Sequence, residues 1–238
     1  MKKILVSDYD QTFYIGDEDI EKNKIAVNRF RNKGNIFIIA TGRSYEDFMG
    51  KKKQYNIKYD YVIIDHGAMI LDKNNNIIFE SIMPNEILDD LKNDLYIEKA
   101  ERHFCCSLLE SRVDFEHKNL TKVHVKYSNL EYSNEIQKKL EEKYGNILNI
   151  YYVSGNSIEI VSKKTNKSKA IKLLSEKLRI GQDEIFTIGD GYSDIEMIKD
   201  YKGYAMKESV EELKKVAIGK IESVSELIEE IEEIEEGK

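Results

Sequence analysis

The stretch that constrains this chain most is Lys3-Ile4-Leu5-Val6-Ser7-Asp8-Tyr9-Asp10-Gln11-Thr12. An apolar run of strand-forming residues, too short for a typical helix, leads directly into two carboxylates one residue apart and then a hydroxyl. A buried parallel strand delivers acids to a site at its carboxyl end in this way. On that reading Asp8 is a nucleophile and Asp10 its acid/base partner. The plain alternative is a strand-to-turn junction, where turn chemistry alone favours Asp and Thr.

The following segments repeat the theme. Residues 18 to 33 place Ile20, Ala26, Val27 and Phe30 on one face of a helix closed by Gly34. Ile36 to Ala40 is a second buried strand, running into Thr41-Gly42-Arg43-Ser44. The strand, helix and strand predict a right-handed parallel crossover, which brings Thr41 to the same sheet edge as Asp8. Ser44 predicts the N-cap of a helix over about 45 to 54. A third strand follows at Tyr61 to Asp65, then an edge hairpin of Met69 to Leu71 and Ile77 to Glu80.

From Pro84 the rhythm changes. A helix from Pro84 to about Ala100, strands at Phe104 to Leu109 and Lys122 to Tyr127, a helix from Glu131 to Tyr144 stopped at Gly145, and strands at Asn149 to Val153 and Ser157 to Val161 are expected. Ser154-Gly155-Asn156 supplies the last hairpin turn. This αββαββ order suits a small α+β module inserted into the first domain. The α/β rhythm returns with a helix over 167 to 178 and a strand from Glu184 to Gly189. That strand ends in Gly189-Asp190-Gly191-Tyr192-Ser193-Asp194. A helix over 193 to 199, a strand from Gly203 to Met206 and a helix over 208 to 217 follow. The acidic tail, with Leu227, Ile228, Ile231 and Ile234 at helical spacing, is either a helix packed on the core or an interaction arm. The expected fold is therefore α/β, with a doubly wound, mainly parallel core at 1–82 and 162–238 and the inserted module at 83–161.

Composition narrows the function classes. A net charge of -7 argues against a dedicated nucleic-acid or anionic-membrane surface. The short apolar run before Asp8 is no signal core, and no later run reaches membrane-spanning length, so a cytoplasmic protein, monomeric or a small homo-oligomer, is expected. Cys105 and Cys106 are neighbours on a strand, face opposite ways and suit burial better than a disulfide or metal pair. His103, His117 and His124 lack metal-ligand spacing and read as surface or packed residues. Arg102, Arg112 and Lys122 read as solvated charges, with contact to the distal part of a substrate as the alternative.

Three strands of one sheet thus end in Asp8 and Asp10, in Thr41, and in Asp190 and Asp194, with Lys167 opening a helix nearby. So dense a carboxylate cluster calls for a cation, and hard oxygen ligands beside a phosphate suit Mg²⁺. Phosphoryl transfer follows as the reaction class. Asp8 attacks phosphorus to give an aspartyl-phosphate, and Asp10 protonates the leaving alkoxide and then deprotonates water. Thr41, Gly42, Lys167 and backbone amides of the Asp8 loop bind the phosphoryl oxygens. Arg43 either contacts phosphate or pairs with a carboxylate.

These motifs, Asp8-Tyr9-Asp10-Gln11-Thr12, Thr41-Gly42-Arg43, Lys167 and Gly189-Asp190-Gly191-Tyr192-Ser193-Asp194-Ile195-Glu196-Met197, resemble the four motifs of haloacid dehalogenase-like (HAD) phosphatases of the Cof-type branch. The inserted module resembles that branch's cap. The resemblance implies a Mg²⁺-dependent phosphatase acting on a small phosphorylated metabolite, sugar phosphates first. Asp8, the backbone carbonyl of Asp10 and Asp190 would bind metal, and Asp194 would support the metal through water or hold the adjacent lysine. Four positions depart from the family pattern. Gln11 stands where glycine is usual, His66 and Ser193 where asparagine is usual, and Glu208 where asparagine often follows Ala-Met. Gln11 bears on loop conformation, and Gln11, Arg43, His66, Ser193 and Glu208 are the candidates for the substrate pocket. A phosphosugar mutase, and a phosphometabolite-binding regulator weakened in turnover, are the alternatives.

Overall fold

The computed structural model describes residues 2–153 and 155–236, which form two sheets. In chain order the first sheet takes β1 (Ile4–Ser7), β2 (Ile36–Ala40), β3 (Tyr61–Ile64), β4 (Met69–Asp72) and β5 (Ile77–Glu80). The second takes β6 (Arg102–Ser107), β7 (Glu110–Val113), β8 (Lys122–Lys126), β9 (Leu148–Val153) and β10 (Ser157–Ser162). The chain then returns to the first sheet with β11 (Ile185–Gly189), β12 (Lys202–Met206) and β13 (Gly219–Ile221). Strand order in the first sheet is β13-β12-β11-β1-β2-β3-β4-β5. It is parallel from β13 to β3, and the hairpin β4-β5 adds an antiparallel edge.

The apolar runs read as buried strands because both faces of this sheet are covered. Leu5, Phe37 and Ile39 pack with α1 (Asp17–Asn32), α2 (Tyr45–Tyr55) and α8 (Val224–Glu236) through Val27, Phe30, Phe48 and Leu227. Their neighbours Ile4, Val6, Ile36 and Ile38 pack the other way, with Ala170, Ile171 and Leu174 of α5 (Lys167–Leu178) and Ile198 of α6 (Ile195–Asp200). Period-two alternation therefore feeds two apolar layers at once. The tail packs as a helix, with Leu227, Ile228 and Ile231 buried.

The second sheet, β7-β6-β8-β10-β9, is antiparallel. One face is covered by α3 (Leu88–Asp94) and α4 (Leu130–Tyr144), which bury Cys105, Val123, Val125, Ile158 and Ile160. The intervening Lys122, His124 and Glu159 lie on the other face, beside the carboxyl ends of the first sheet.

Several local expectations are corrected. The helix from Pro84 to Ala100 is broken: Leu88–Asp94 is helical, a 3-10 turn precedes it, and Tyr96 enters the left-handed region at φ 47°. The inserted module has an additional edge strand, β7, because Leu108 at φ 46° turns the chain back after Ser107. The helix expected over 208 to 217 shortens to α7 (Glu211–Lys214), and β13 follows it. Ser154, assigned to the last hairpin turn, lies outside the described residues. Both cysteines are buried and free.

Candidate active site

Parallel pairing brings the candidate groups to one edge. Ser7 stands level with Ile39 of β2 and Ile188 of β11, so the three strands end within one residue of one another. The Asp8 N–H still donates to Ile188 O (2.9 Å) and the Thr41 N–H to Ile63 O (2.8 Å), which fixes both backbones at the rim.

Lys167 is the first residue of α5, placed by Asn166, whose side-chain oxygen caps the helix by accepting the Lys169 N–H at 2.7 Å. Only 1% of its side chain is exposed. Its ammonium donates to Asp8 Oδ1 and to Asp194 Oδ1, each at 2.6 Å. The other oxygen of Asp194 accepts the backbone N–H groups of Asp190 (3.2 Å) and Gly191 (3.0 Å). Asp194 thus contacts the lysine directly, while its place in the carboxylate cluster keeps it beside the metal candidates. Gly189 permits this arrangement, since a Cβ there would lie 2.6 Å from the Asp194 carboxyl carbon. Asp190 accepts a hydrogen bond from Thr12 Oγ1 at 3.0 Å.

Carboxylate oxygens of Asp8, Asp190 and Asp194 all lie within 4.8 Å of one another. Burial pushes Asp8 well above its ordinary value, and Asp194 and Asp190 add to the effect against the pull of Lys167. Burial, then Asp194, raises Asp190 to about 6. Burial disfavours the charged form of Lys167, but Asp194 and Asp8 outweigh it and raise the group. Three acids facing one ammonium leave the site short of positive charge. A hard divalent cation on Asp8 and Asp190 fits this donor set.

The Asp10 carboxylate does not join the cluster. Arg43 takes it in a fork, Nε to Oδ2 at 2.8 Å and Nη2 to Oδ1 at 2.7 Å, the carboxylate pairing considered for that arginine. Gln11 occupies φ 59°, so the position where glycine is usual does demand the left-handed region. Thr41 is buried, and its hydroxyl oxygen accepts the Arg43 N–H at 3.1 Å. Gly42 has a packing reason to be glycine: a Cβ there would lie 2.4 Å from the His66 ring.

A cavity of about 800 Å³ joins these groups to the second sheet. It is lined by Asp8, Asp10, Gln11, Thr41, Arg43 and Ser193 on one side, and by Arg102, Phe104, His124 and Glu159 on the other. Among the pocket candidates, Glu208 is exposed and outside this lining, which corrects its assignment. Lys122 is corrected as well. Instead of a solvated charge it is 2% exposed, 3.3 Å from both Asp65 and Glu159, and bonded to the Gly42 carbonyl. His124 is packed, as expected, stacked on Phe104 and 3.0 Å from Glu159 Oε1. Glu159 was not singled out by sequence. The available signal was a lone acid between Ile158 and Ile160.

The haloacid dehalogenase-like hydrolase family model matches residues 5–111 and 106–226. A candidate phosphatase of Buchnera aphidicola subsp. Schizaphis graminum is 30% identical over 223 residues, 83% of this chain and 81% of that protein. The 5-amino-6-(5-phospho-D-ribitylamino)uracil phosphatase of Bacillus subtilis is 25% identical over 210 residues, 83% of this chain and 80% of its own. Among solved structures, a haloacid dehalogenase-like hydrolase from Bacteroides thetaiotaomicron superimposes with TM-score 0.81 at 19% identity, covering 97% of this chain and 100% of that one. A sugar phosphatase of HAD subclass IIB gives TM-score 0.77 at 18% identity, covering 98% and 99%. The resemblance read from the motifs is therefore borne out: this chain belongs to the haloacid dehalogenase-like hydrolase family.

Proposed function

We propose that this protein is a Mg²⁺-dependent phosphatase of small phosphorylated metabolites that works through an aspartyl-phosphate on Asp8. The observation that carries the reading is the buried Lys167 ammonium, 2.6 Å from both Asp8 and Asp194 within the carboxylate cluster. Asp8, Asp190 and the Asp10 carbonyl are assigned to Mg²⁺, with Asp194 in support. The ion supplies charge neutralisation for the phosphoryl oxygens beside these acids.

In the first step an Asp8 oxygen forms a bond to phosphorus while the bond to the leaving oxygen breaks, and the Asp10 carboxyl gives that oxygen its proton. In the second, Asp10 takes a proton from water, the water oxygen bonds to phosphorus, and the Asp8 oxygen leaves. Lys167, the Thr41 hydroxyl and the Gly42 amide bind the phosphoryl oxygens. The inserted module, which we assign to 83–161 between core segments 1–82 and 162–238, covers the site and limits access of water.

Sugar phosphates are the favoured class. Two similar proteins are named as a sugar phosphatase and as a phosphatase of a phosphoribitylamino uracil. A Mg²⁺-supplemented screen of phosphorylated metabolites, read by phosphate release, tests the assignment. Isomer formation with little free phosphate would point to a mutase. Ligand binding without turnover would point to a regulator.

A further inference from the structure

Three consecutive residues after β3 occupy the left-handed region: Asp65 at φ 48°, His66 at φ 55° and Gly67 at φ 106°. Such a run persists only where its surroundings over-determine it. Here the restraints come largely from the second sheet and the loop before β8. Thr121 donates its hydroxyl hydrogen to Asp65 Oδ2 at 2.8 Å, and the buried Lys122 ammonium sits 3.3 Å from Asp65 Oδ1. Glu159 binds the His66 ring at Nε2, and Tyr151 packs against that ring with centroids 4.8 Å apart.

The same turn braces the groups that seat the phosphate. Its N–H groups donate to the strand-end loop of β2, from Asp65 to Arg43 O (3.0 Å) and from His66 to Thr41 O (3.1 Å). The His66 ring fills the space that Gly42 leaves. Gly67 touches the other catalytic support: a Cβ there would lie 2.3 Å from the carbonyl oxygen of Asn166, the N-cap of the Lys167 helix. Lys122 adds a direct link, donating to the Gly42 carbonyl. One strained turn therefore touches both the Thr41-Gly42-Arg43 loop and the base of α5, and side chains of the inserted module hold it.

We propose that Lys122 and Glu159 are positioning residues that couple the seating of the inserted module to the shape of the phosphate-binding loop, through the turn Asp65-His66-Gly67. With the module seated, the ammonium of Lys122 and the carboxylate of Glu159 keep the turn strained and the Thr41 and Gly42 donors aligned. When those contacts part, the turn relaxes and the donors lose their geometry. Phosphate affinity is thus tied to closure without Lys122 touching phosphate. This rests on the phosphatase reading only in taking Thr41 and Gly42 as the phosphate seat.

The test uses the full chain with Mg²⁺, inorganic phosphate as the probe by calorimetry, and steady-state hydrolysis of an aryl phosphate. Lys122→Met is expected to weaken phosphate binding and raise KM by about tenfold, the size of one lost charged hydrogen bond. The isosteric Thr121→Val, which leaves all charges in place, is expected to move both in the same direction by about threefold. A purely structural role would lower the melting temperature and the active fraction while leaving phosphate affinity and KM of the folded protein unchanged. Values within about twofold of wild type in both variants overturn the coupling. Phosphate binding by a wild-type protein that hydrolyses nothing would instead strike the phosphatase reading alone, and the binding comparison would still decide the coupling.

Discussion

Arg43 grips the carboxylate of Asp10 with two parallel hydrogen bonds, at 2.8 and 2.7 Å, while its guanidinium lies 5.5 Å from the Tyr9 ring centroid. A planar fork positions the assigned acid/base as a single point charge cannot. Arg43→Lys should therefore lower kcat for an aryl phosphate by about tenfold and change KM by less than about threefold. Steady-state kinetics at saturating Mg²⁺ checks this, and an unchanged kcat would remove Arg43 from the positioning of Asp10.

Lys167 donates to two buried carboxylates and is assigned to the phosphoryl oxygens. Lys167→Ala should cost about 3 to 4 kcal/mol of transition-state stabilisation, or about 10² to 10³ in kcat. Rates normalised to the folded fraction separate this loss from the destabilisation that two unpaired buried acids will cause.

Gln11 holds φ 59° at an exposed position. A side chain with a Cβ costs about 1 to 2 kcal/mol there, and glycine's greater freedom in the unfolded chain offsets part of that. Gln11→Gly should raise the unfolding free energy by about 0.5 to 1 kcal/mol, read as a shift of the urea midpoint at constant slope. Turnover that also rises would show that the side chain restrains the loop during the reaction.

Asp60 ties the end of α1 to the start of β2. It pairs with Arg31 at 2.7 and 2.8 Å and accepts the Phe37 N–H at 3.0 Å. Burial opposes the charged form, yet the Arg31 and Phe37 bonds prevail and lower the group below its ordinary 3.8. Its contribution to stability is therefore present above the unfolded value of 3.8 and lost as pH falls below that value through the folded one. The melting-temperature gap between wild type and Asp60→Asn should be positive at neutral pH and shrink progressively below about pH 4. A gap independent of pH would contradict the linkage.

Much of the core was legible because its strands are buried on both faces and end in polar motifs. Ile4 to Val6 and Ile36 to Ala40 are apolar without interruption, and their register alone places Asp8 beside Thr41. The inserted module was harder to read. β7, whose residues are partly exposed, has little apolar signal, and the turn at Leu108 carries no glycine. Lys122 read as a solvated charge and Glu159 was not singled out, because local sequence cannot show that each will bury the other. Only the pairing of β8 with β10, which sets Glu159 opposite His124, brings them together.

The central claim is that Asp8 carries the phosphoryl group. The most direct measurement is the rate of aryl phosphate hydrolysis by wild type and Asp8→Asn, each with Mg²⁺ and with chelator. The amide keeps the size of the side chain and an oxygen for Lys167 but cannot act as the nucleophile. The account predicts Mg²⁺-dependent hydrolysis by wild type and, in Asp8→Asn, loss of at least about 10³-fold. Hydrolysis that survives Asp8→Asn at the wild-type rate, or that ignores chelation, would contradict it.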